Sequence, residues 1–538
     1  MGKDGNKKQV FWAILISIVI LAAGLRAGLA ITERIPFNAD EAVVGLMARH
    51  VLQGEQALFF WGQAYMGSMD AYLVAGAFLL LGESVFAIRV VQILLLVGTV
   101  ITTAMLGRQL FHSSRVGLIA ALLVALPTVN GVLYTTASLG GYGEALLIGN
   151  FILLLAAQNI SGQQSRVFWG LLGFLGGLGF WTNGLTLVYF IPAWILVVKG
   201  GWRPGSEKEK SRLLWGGILF SVVGFAIGAS PWLVFLINGG SAAIHELFGS
   251  AVNVEQTFVL VKWGNHLISF LLLGLTVIFG FRPPWSVHWL GLPLMPFILM
   301  FWGWTAAQIF FEIRRRRAIL PAFWLLLGVM ACVAGGFVFT SFGIDPSGRY
   351  FLPFITPMAL LAGWAVSTLN RRWLQFGLVA LVCIFHFWGI IDSASAYPPG
   401  LTTQFDSSVV IDHRYDGELL AFLRDNQLNR GYTHYWIGYP VAFLSQEKLI
   451  FVPKLPYHGD LRYTPRDDRY SPYDEQVRNS RKITYITAKN PALDEKLTGA
   501  FRAHQIQYQE KWIGDYHVFY NLSQPVHPEM MGLGTLKE

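Results

Sequence analysis

The sequence predicts a polytopic α-helical membrane protein with a separate α/β domain at its C-terminal end. Only 13% of its 538 residues are charged, and the mean hydropathy is +0.48, which excludes an ordinary soluble enzyme. Apolar stretches of about 20 residues, the length that crosses a bilayer, recur between residues 10 and 391. The chain after about Tyr397 has no such stretch. We therefore predict a membrane domain over 1–396 and a soluble domain over 397–538.

Basic residues in short loops predict the topology, because Lys and Arg are enriched in cytoplasmic loops. The basic loops contain Lys3, Lys7 and Lys8; Arg108 and Arg115; Lys199, Arg203, Lys208, Lys210 and Arg212; Arg314 to Arg317; and Arg371 and Arg372. All are cytoplasmic only if two short apolar stretches, 66–82 and 266–281, do not cross the membrane. This predicts about 11 crossings, and counting both stretches as spans gives about 13. Either count places the N-terminus in the cytoplasm and the C-terminal domain outside.

The first external loop, residues 32–84, contains an acidic pair in the stretch NADEAVVGLMARHVLQ. Asp40 and Glu41 precede an apolar periodic segment, where one carboxylate can simply begin a helix by facing its free N–H groups. A cap explains one carboxylate better than two. Arg49 and His50 fall on the polar side of the same segment, which predicts an amphipathic helix lying in the membrane interface. His50 is a further candidate site residue.

Other ionisable residues fall at the same external face in this topology. Glu144 lies about one turn inside an apolar segment, where a carboxylate needs a partner or a wet cavity, unless the helix end is solvated. Arg349 stands beside Tyr350, and a guanidinium group matches a phosphate through paired hydrogen bonds. Interfacial anchoring is the alternative for this Arg–Tyr pair. Arg89, near the outer end of its span, is a further candidate for contact with a phosphate.

Several other classes of site are disfavoured. His245 and Glu246 are a candidate metal or substrate pair, but a single His is more often part of a surface pair. No P-loop, dinucleotide fingerprint or metalloprotease motif occurs, so no nucleotide cofactor is expected. The net charge of +8 arises mainly in the short loops, so nucleic acid is not an expected partner. Cys332 and Cys383 lie in apolar spans and predict no disulfide.

The arrangement of these segments resembles the glycosyltransferase C superfamily. The shared features are a short basic N-terminus, one span, an external loop that opens with Asp-Glu, and a second short helix ending in LLLGES before an Arg. GRYFLPFITPMALLAG is similar to the late span of the branch that holds protein O-mannosyltransferases and lipid A aminoarabinose transferases. The chain departs from that branch at AYMGSMDAY, where many members have Lys-Pro-Pro, which puts a phosphate contact through that Lys in doubt.

The resemblance implies transfer of a sugar from a polyprenyl-phosphate donor to a hydroxyl of a protein, lipid or glycan at the external face of the plasma membrane, with inversion. It implies that Asp40 is the catalytic carboxylate and Glu144 a second acid, and it places Arg349 near the donor phosphate. Whether a divalent metal takes part is left open. The alternatives are a transporter or flippase of lipid-linked saccharides and a membrane-anchored protein that binds sugar or peptide.

The C-terminal domain is predicted to contain one helix, at ELLAFLRDNQ, and strands at THYWIGYP, KLIFVP, KITYITA and YHVFYNL. Tyr435, Trp436 and Tyr439 lie in the first of these strands. We interpret them as part of a sheet core, with stacking on a sugar as the alternative.

Overall fold

The computed structural model describes residues 2–158, 165–200, 207–239, 259–315, 320–345, 347–405 and 409–533. The chain forms two compact units. The membrane unit comprises Met1–Thr32, Tyr65–Met69 and Arg89–Ser395, and the α/β unit comprises Glu33–Ala64, Asp70–Ile88 and Ala396–Glu538. The C-terminal part of the α/β unit begins at Ala396, and the sequence predicted a boundary at residue 397. The unit also contains most of the first external loop.

The membrane unit is almost entirely helical. The helices in it or running into it are Gly2–Ile31, Val85–Phe111, Ser114–Ala125, Val129–Tyr134, Tyr142–Gln158, Arg166–Thr182, Leu187–Gly200, Glu207–Gly228, Ser230–Gly239, Val259–Ser269, Leu275–Ile278, Met295–Arg314, Leu320–Phe339, Ile355–Ser367 and Arg372–Ser395. Short 3-10 segments lie at Gly184–Thr186, Leu292–Leu294, Ser341–Ile344 and Arg349–Phe354.

Within the described ranges, seven helices are long and apolar enough to cross a membrane, or eight if the bent pair Trp215–Gly228 and Ser230–Gly239 forms one span. Four shorter apolar helices of 10–17 residues accompany them. The chain is therefore an integral membrane protein. The predicted total of about 11 crossings exceeds the number of helices that meet this length.

The two stretches that we expected not to cross behave differently. Residues 66–82 form the helix Met69–Leu81, whose 13 residues are short for a span. Residues 266–281 belong to a longer helical segment than the apolar stretch alone indicates. The helix begins upstream at Val259 and continues through a π-helical turn, Phe270–Gly274, which gives a 20-residue candidate span, Val259–Ile278.

Glycines allow two helices of the membrane unit, Arg166–Thr182 and Glu207–Gly228, to pack with their backbones in contact. A Cβ atom added to Gly177 would lie 2.1 Å from the carbonyl oxygen of Phe225, and one added to Gly224 would lie 2.1 Å from that of Gly170. Small residues are favoured at such interfaces, because helices in lipid associate through close van der Waals packing.

The α/β unit contains the helices Ala39–Leu52, Met69–Leu81, Asp416–Asp425, Tyr435–Leu444, Pro472–Arg478 and Pro491–Ala503. The strands are β1 (Phe59–Phe60), β2 (Gln63–Gly67, which runs into the membrane unit), β3 (Arg430–Thr433), β4 (Ile450–Pro453), β5 (Thr484–Ala488), β6 (Gln509–Ile513) and β7 (Tyr516–Tyr520). One five-stranded sheet has the order β4-β3-β5-β7-β6, with β3 parallel to β4 and β5 and with β7 antiparallel to β5 and β6. The predicted α/β architecture is confirmed.

The predicted strand THYWIGYP is wrong after its first residue. β3 ends at Thr433, and the following residues form the helix Tyr435–Leu444, which buries Ile437 and Val441 four residues apart. A short run of aromatic and apolar residues satisfies both a buried strand and a buried helix, so periodicity alone does not separate them.

The helix Ala39–Leu52 was predicted to lie in the membrane interface, and this is also wrong. Its residues from Glu41 to His50 are all buried. It packs on the helix Tyr435–Leu444, and the approach is so close that a Cβ atom on Gly45 would lie 2.5 Å from the ring of Phe443. The charged residues Arg49 and His50 are accommodated by ion pairs rather than by solvent.

Candidate active site

Asp40 stands at the beginning of the helix Ala39–Leu52 but does not cap it. The cap is Asn38, whose side-chain oxygen accepts a hydrogen bond of 3.0 Å from the backbone N–H of Glu41. The half-buried Asp40 carboxylate instead accepts a 2.5 Å hydrogen bond from the Tyr435 hydroxyl. Burial and the neighbouring Asp40 raise the pKa of Tyr435 well above its ordinary value, so this hydroxyl keeps its proton. The capping interpretation of Asp40 is therefore replaced by a paired, oriented carboxylate.

Glu41 has a different environment. Its side chain is fully buried, and the amide of Asn38 donates to it over 3.5 Å. The carboxylate thus faces the protein interior, while Asp40 remains partly accessible. Of the acidic pair, only Asp40 is placed to meet a substrate.

A loop of the C-terminal chain, Pro465 to Tyr470, lies next to the Tyr435–Asp40 pair. The Tyr439 hydroxyl accepts the backbone N–H of Arg469 at 2.6 Å and lies 3.3 Å from the backbone carbonyl of Asp467, to which it donates. The guanidinium of Arg469 lies 5.1 Å from the ring centre of Tyr435. The aromatic residues of the helix Tyr435–Leu444 therefore connect Asp40 with a loop that carries further charges.

Arg49 and His50 belong to a buried ionic network around Glu447. Glu447 accepts hydrogen bonds from Arg49 at 2.9 Å, from His50 at 2.8 Å and from the Tyr473 hydroxyl at 2.6 Å. Arg49 also pairs with Glu83. Burial opposes ionisation of Glu447, but these hydrogen bonds lower its pKa to about 2. His50 was a candidate site residue, and its side chain is committed to this network.

The pKa of His50 is set by two opposing effects. Burial lowers it, whereas the hydrogen bonds to Glu447 and Glu55 raise it, and the net result is a raised pKa. The imidazole is held between two carboxylates. This arrangement joins the helix Ala39–Leu52 to the end of the helix Tyr435–Leu444.

Arg349, in the membrane unit, is oriented by Asp345, an acidic residue four positions earlier in the loop that leads to it. Its Nε and Nη2 donate to the same oxygen of Asp345, over 2.9 and 2.5 Å. The loop is fixed to the helix Val129–Tyr134, because Asn130 donates to the Gly348 carbonyl at 3.0 Å and the Tyr134 hydroxyl to that of Ser347 at 2.9 Å. The guanidinium also lies 5.2 Å from the ring centre of Tyr350.

The other predicted residues of the membrane unit are buried. Glu144 is 1% exposed near the beginning of the helix Tyr142–Gln158, which excludes the alternative of a solvated helix end. Tyr142 on the same helix interacts electrostatically with Arg349, Tyr350 and Tyr65. Arg89 is likewise buried. His245 and Glu246 lie outside the described residues.

A mainly apolar cleft lies in the membrane unit. It is lined by residues that include Asn130, Trp302, Phe351, Met358 and His386. Asn130 donates a hydrogen bond to the carbonyl of Gly348, the residue before Arg349, and Phe351 lies in the same 3-10 segment as Arg349. An apolar cleft beside a guanidinium group is suited to an amphiphile with an anionic head.

No group of three or more His, Cys, Asp or Glu side chains that could hold a metal ion occurs among the residues that the structure describes.

Sequence reasoning missed the two partners that orient the main candidate groups. Tyr435 was interpreted as a sheet residue, and its hydrogen bond to Asp40 joins positions 395 residues apart. Asp345 carried a visible signal, because it is an acidic residue only four positions before Arg349.

Comparison with known proteins places this geometry in a structural class. Residues 67–234 match the family model of dolichyl-phosphate-mannose-protein mannosyltransferases. The crystal structure of ArnT from Cupriavidus metallidurans bound to undecaprenyl phosphate superposes with a TM-score of 0.61 at 11% identity, covering 97% of this chain and 99% of that one. An apo oligosaccharyltransferase from Archaeoglobus fulgidus has a TM-score of 0.51 at 13% identity, over 90% of this chain and 72% of that one.

Among curated proteins, the undecaprenyl phosphate-alpha-4-amino-4-deoxy-L-arabinose arabinosyl transferase of Pseudomonas aeruginosa is 23% identical over 359 residues. The match covers 65% of this chain and 59% of that protein, so this chain spans less than two thirds of its relative. These comparisons confirm the predicted resemblance to the glycosyltransferase C superfamily and its aminoarabinose transferase branch. The chain has the fold of that superfamily.

Proposed function

We propose that this protein is a membrane glycosyltransferase that transfers a sugar from a polyprenyl-phosphate donor to a hydroxyl group of an acceptor at the extracytoplasmic face. The observation that carries the proposal is the Asp40 carboxylate, which is oriented by a tyrosine donor and left partly accessible. The matches to lipid-linked sugar transferases support the donor class. The acceptor is a protein, a lipid or a glycan.

In the proposed reaction, the acceptor oxygen attacks the anomeric carbon of the sugar while the bond from that carbon to the phosphate oxygen breaks. Asp40 accepts the hydroxyl proton, and the polyprenyl phosphate leaves with the bonding electron pair. Tyr435 donates to Oδ1 of Asp40, which leaves Oδ2 to face the acceptor. General base catalysis of this kind contributes roughly 10²- to 10⁴-fold to a rate.

Arg349 is the group that we propose for the donor phosphate. Asp345 occupies its Nε and Nη2 atoms, so a phosphate oxygen would bind through Nη1 or compete with Asp345. The ion pair holds the guanidinium in one orientation before the donor arrives, and such preorganisation is what makes electrostatic stabilisation effective. The apolar cleft is proposed to take the first isoprene units.

Reconstitution tests the proposal. The purified protein in lipid vesicles is supplied with synthetic undecaprenyl-phosphate sugars and with cell-envelope protein, lipid and glycan fractions as acceptors, and the products are analysed by mass spectrometry. The proposal predicts release of undecaprenyl phosphate together with a glycosylated acceptor. Movement of an intact donor across the bilayer without release of the sugar would indicate a transporter instead.

The topology is tested separately. Basic loops predict that the α/β unit is extracytoplasmic and that the loop with Lys208 and Lys210 is cytoplasmic. Single cysteines placed at exposed Asp460 and at Lys208 are labelled in intact cells with an impermeant maleimide. We expect labelling at position 460 only. Labelling at position 208 would contradict the 11-span topology, and protection of position 460 would contradict the predicted placement of the α/β unit.

A further inference from the structure

The loop from Pro465 to Tyr470 is attached to the first external loop at several points. The ring of Tyr470 stacks on Trp61 with 4.1 Å between the ring centres. A Cβ atom on Gly62, which has a φ of +67°, would lie 2.7 Å from the side chain of Arg469. Together with the two hydrogen bonds of Tyr439, these contacts fix the loop independently of the side chain of Asp467.

Asp467 is connected to Asp40 through the helix Tyr435–Leu444, because Tyr439 donates to the Asp467 carbonyl at 3.3 Å and Tyr435, one turn earlier, donates to Asp40 at 2.5 Å. Burial raises the pKa of Asp467, the cation of Arg469 lowers it, and the charge of Asp40 raises it. The net result is a pKa of about 7. Two carboxyl groups that interact in this way titrate as a pair, because ionisation of one makes the other a stronger base.

The charged and titratable groups that face Asp467 come from three elements. They are Asp40 of the helix Ala39–Leu52, Tyr439 of the helix Tyr435–Leu444, and Tyr463, Arg466 and Arg469 of the chain segment around Asp467. Asp468 lies toward Lys454 and Asp474 instead. Arg469 is therefore a cation that acts on both Asp467 and Tyr435.

We propose that Asp467 is a positioning residue of the Asp40 site, and that its carboxylate, with Arg469 beside it, sets the strength of Asp40 as a base during transfer. This inference rests on the proposed function. When Asp467 is ionised, its negative charge favours uptake of the acceptor proton by Asp40. When Asp467 is protonated, that assistance is lost, and transfer slows although both residues stay in place.

The test is the pH dependence of sugar transfer by the full chain in vesicles, with undecaprenyl-phosphate sugar as the donor. The wild-type rate is expected to rise with a midpoint near pH 7. Asp467→Asn is expected to lose this rise and to be roughly tenfold slower at pH 8. Arg469→Gln is expected to keep the rise but to move its midpoint to higher pH, because the cation that favours the ionised form of Asp467 is removed.

Two further variants separate this role from a structural one. Asp467→Glu keeps a titrating carboxyl group and is expected to restore the rise. Asp460→Asn removes an exposed carboxylate from the same segment and is expected to leave the profile unchanged. If Asp467→Asn does not fold, the upward shift in Arg469→Gln carries the test by itself.

The outcomes are distinct. Transfer by Asp467→Asn with the wild-type profile, or an unmoved midpoint in Arg469→Gln, overturns this inference and leaves the proposed function standing. Absence of transfer in the wild-type protein overturns both.

Discussion

Replacement of Glu447 by Gln is expected to destabilise the α/β unit substantially. Glu447 receives hydrogen bonds from Arg49, His50 and Tyr473, and its side chain is only 19% exposed. A pKa of about 2, against an ordinary value of 4.5, corresponds to about 3 kcal/mol in favour of the ionised form. Gln removes the charge and turns an NH₂ group toward donors, so we expect a loss of about 3 kcal/mol at pH 7.

The assay is thermal unfolding of the purified protein in detergent at a fixed scan rate. For a domain of 150–250 residues, a loss of about 3 kcal/mol corresponds to a fall in Tm of about 6–12 °C. Glu475→Gln is the control, because it removes an exposed carboxylate of the helix Pro472–Arg478. An equal Tm in Glu447→Gln and in the control would refute the reasoning.

The pH dependence follows from the sign of the shift. A lowered carboxyl pKa stabilises the folded state above pH 4.5, and this stabilisation is lost as the pH falls from 4.5 toward about 2. The difference in Tm between wild type and Glu447→Gln is therefore expected to shrink below pH 4.5. The raised pKa of His50 acts in the opposite sense, because its contribution is present below pH 6.5 and is lost as the pH rises through the folded-state value.

Three further changes test other parts of the structure. Arg349→Lys is expected to raise the KM for the lipid donor about tenfold, since Lys keeps the charge but loses the paired geometry, and an unchanged KM would reduce Arg349 to an interfacial anchor. Tyr435→Phe removes the donor to Asp40 and is expected to lower kcat about tenfold with little change in Tm; an unchanged kcat would show that the bond is not used. Gly177→Ala is expected to lower stability by about 1–3 kcal/mol, because its Cβ meets the Phe225 carbonyl at 2.1 Å. Gly170→Ala, with its Cβ 3.9 Å from the nearest atom, should be tolerated, and equal melting of both variants would contradict the packing argument.

The sequence was sufficient for the fold class because that class follows from composition and length. Apolar stretches predict a membrane protein wherever they occur, and the loss of such stretches near Tyr397 marks the α/β region. The number of crossings was less predictable. Lys262 and His266 interrupt the apolar pattern of the span Val259–Ile278, yet the helix continues through them. Hydropathy identifies apolar segments, but the length of a helix is set by its backbone hydrogen bonds, which continue past these two polar residues.

The candidate site was predictable where the signal is local. Asp40 follows the capping residue Asn38 by two positions, and Asp345 precedes Arg349 by four, so the residues of each arrangement lie close together in the sequence. The bond from Tyr435 to Asp40 depends on tertiary packing of two helices far apart in sequence. Residue types near Tyr435 are equally compatible with a strand, and no pattern in one sequence distinguishes the two.

Asp40→Asn provides the most direct test of the central claim, because it removes the base and little else. Asn38 remains as the helix cap, and an Asn oxygen at position 40 still accepts the bond from Tyr435. The measurement is the rate of sugar transfer from undecaprenyl-phosphate sugar in vesicles, with expression and Tm recorded in parallel. We predict a loss of at least about 100-fold with an unchanged Tm. Transfer by Asp40→Asn at close to the wild-type rate would contradict the assignment of Asp40 as the catalytic base.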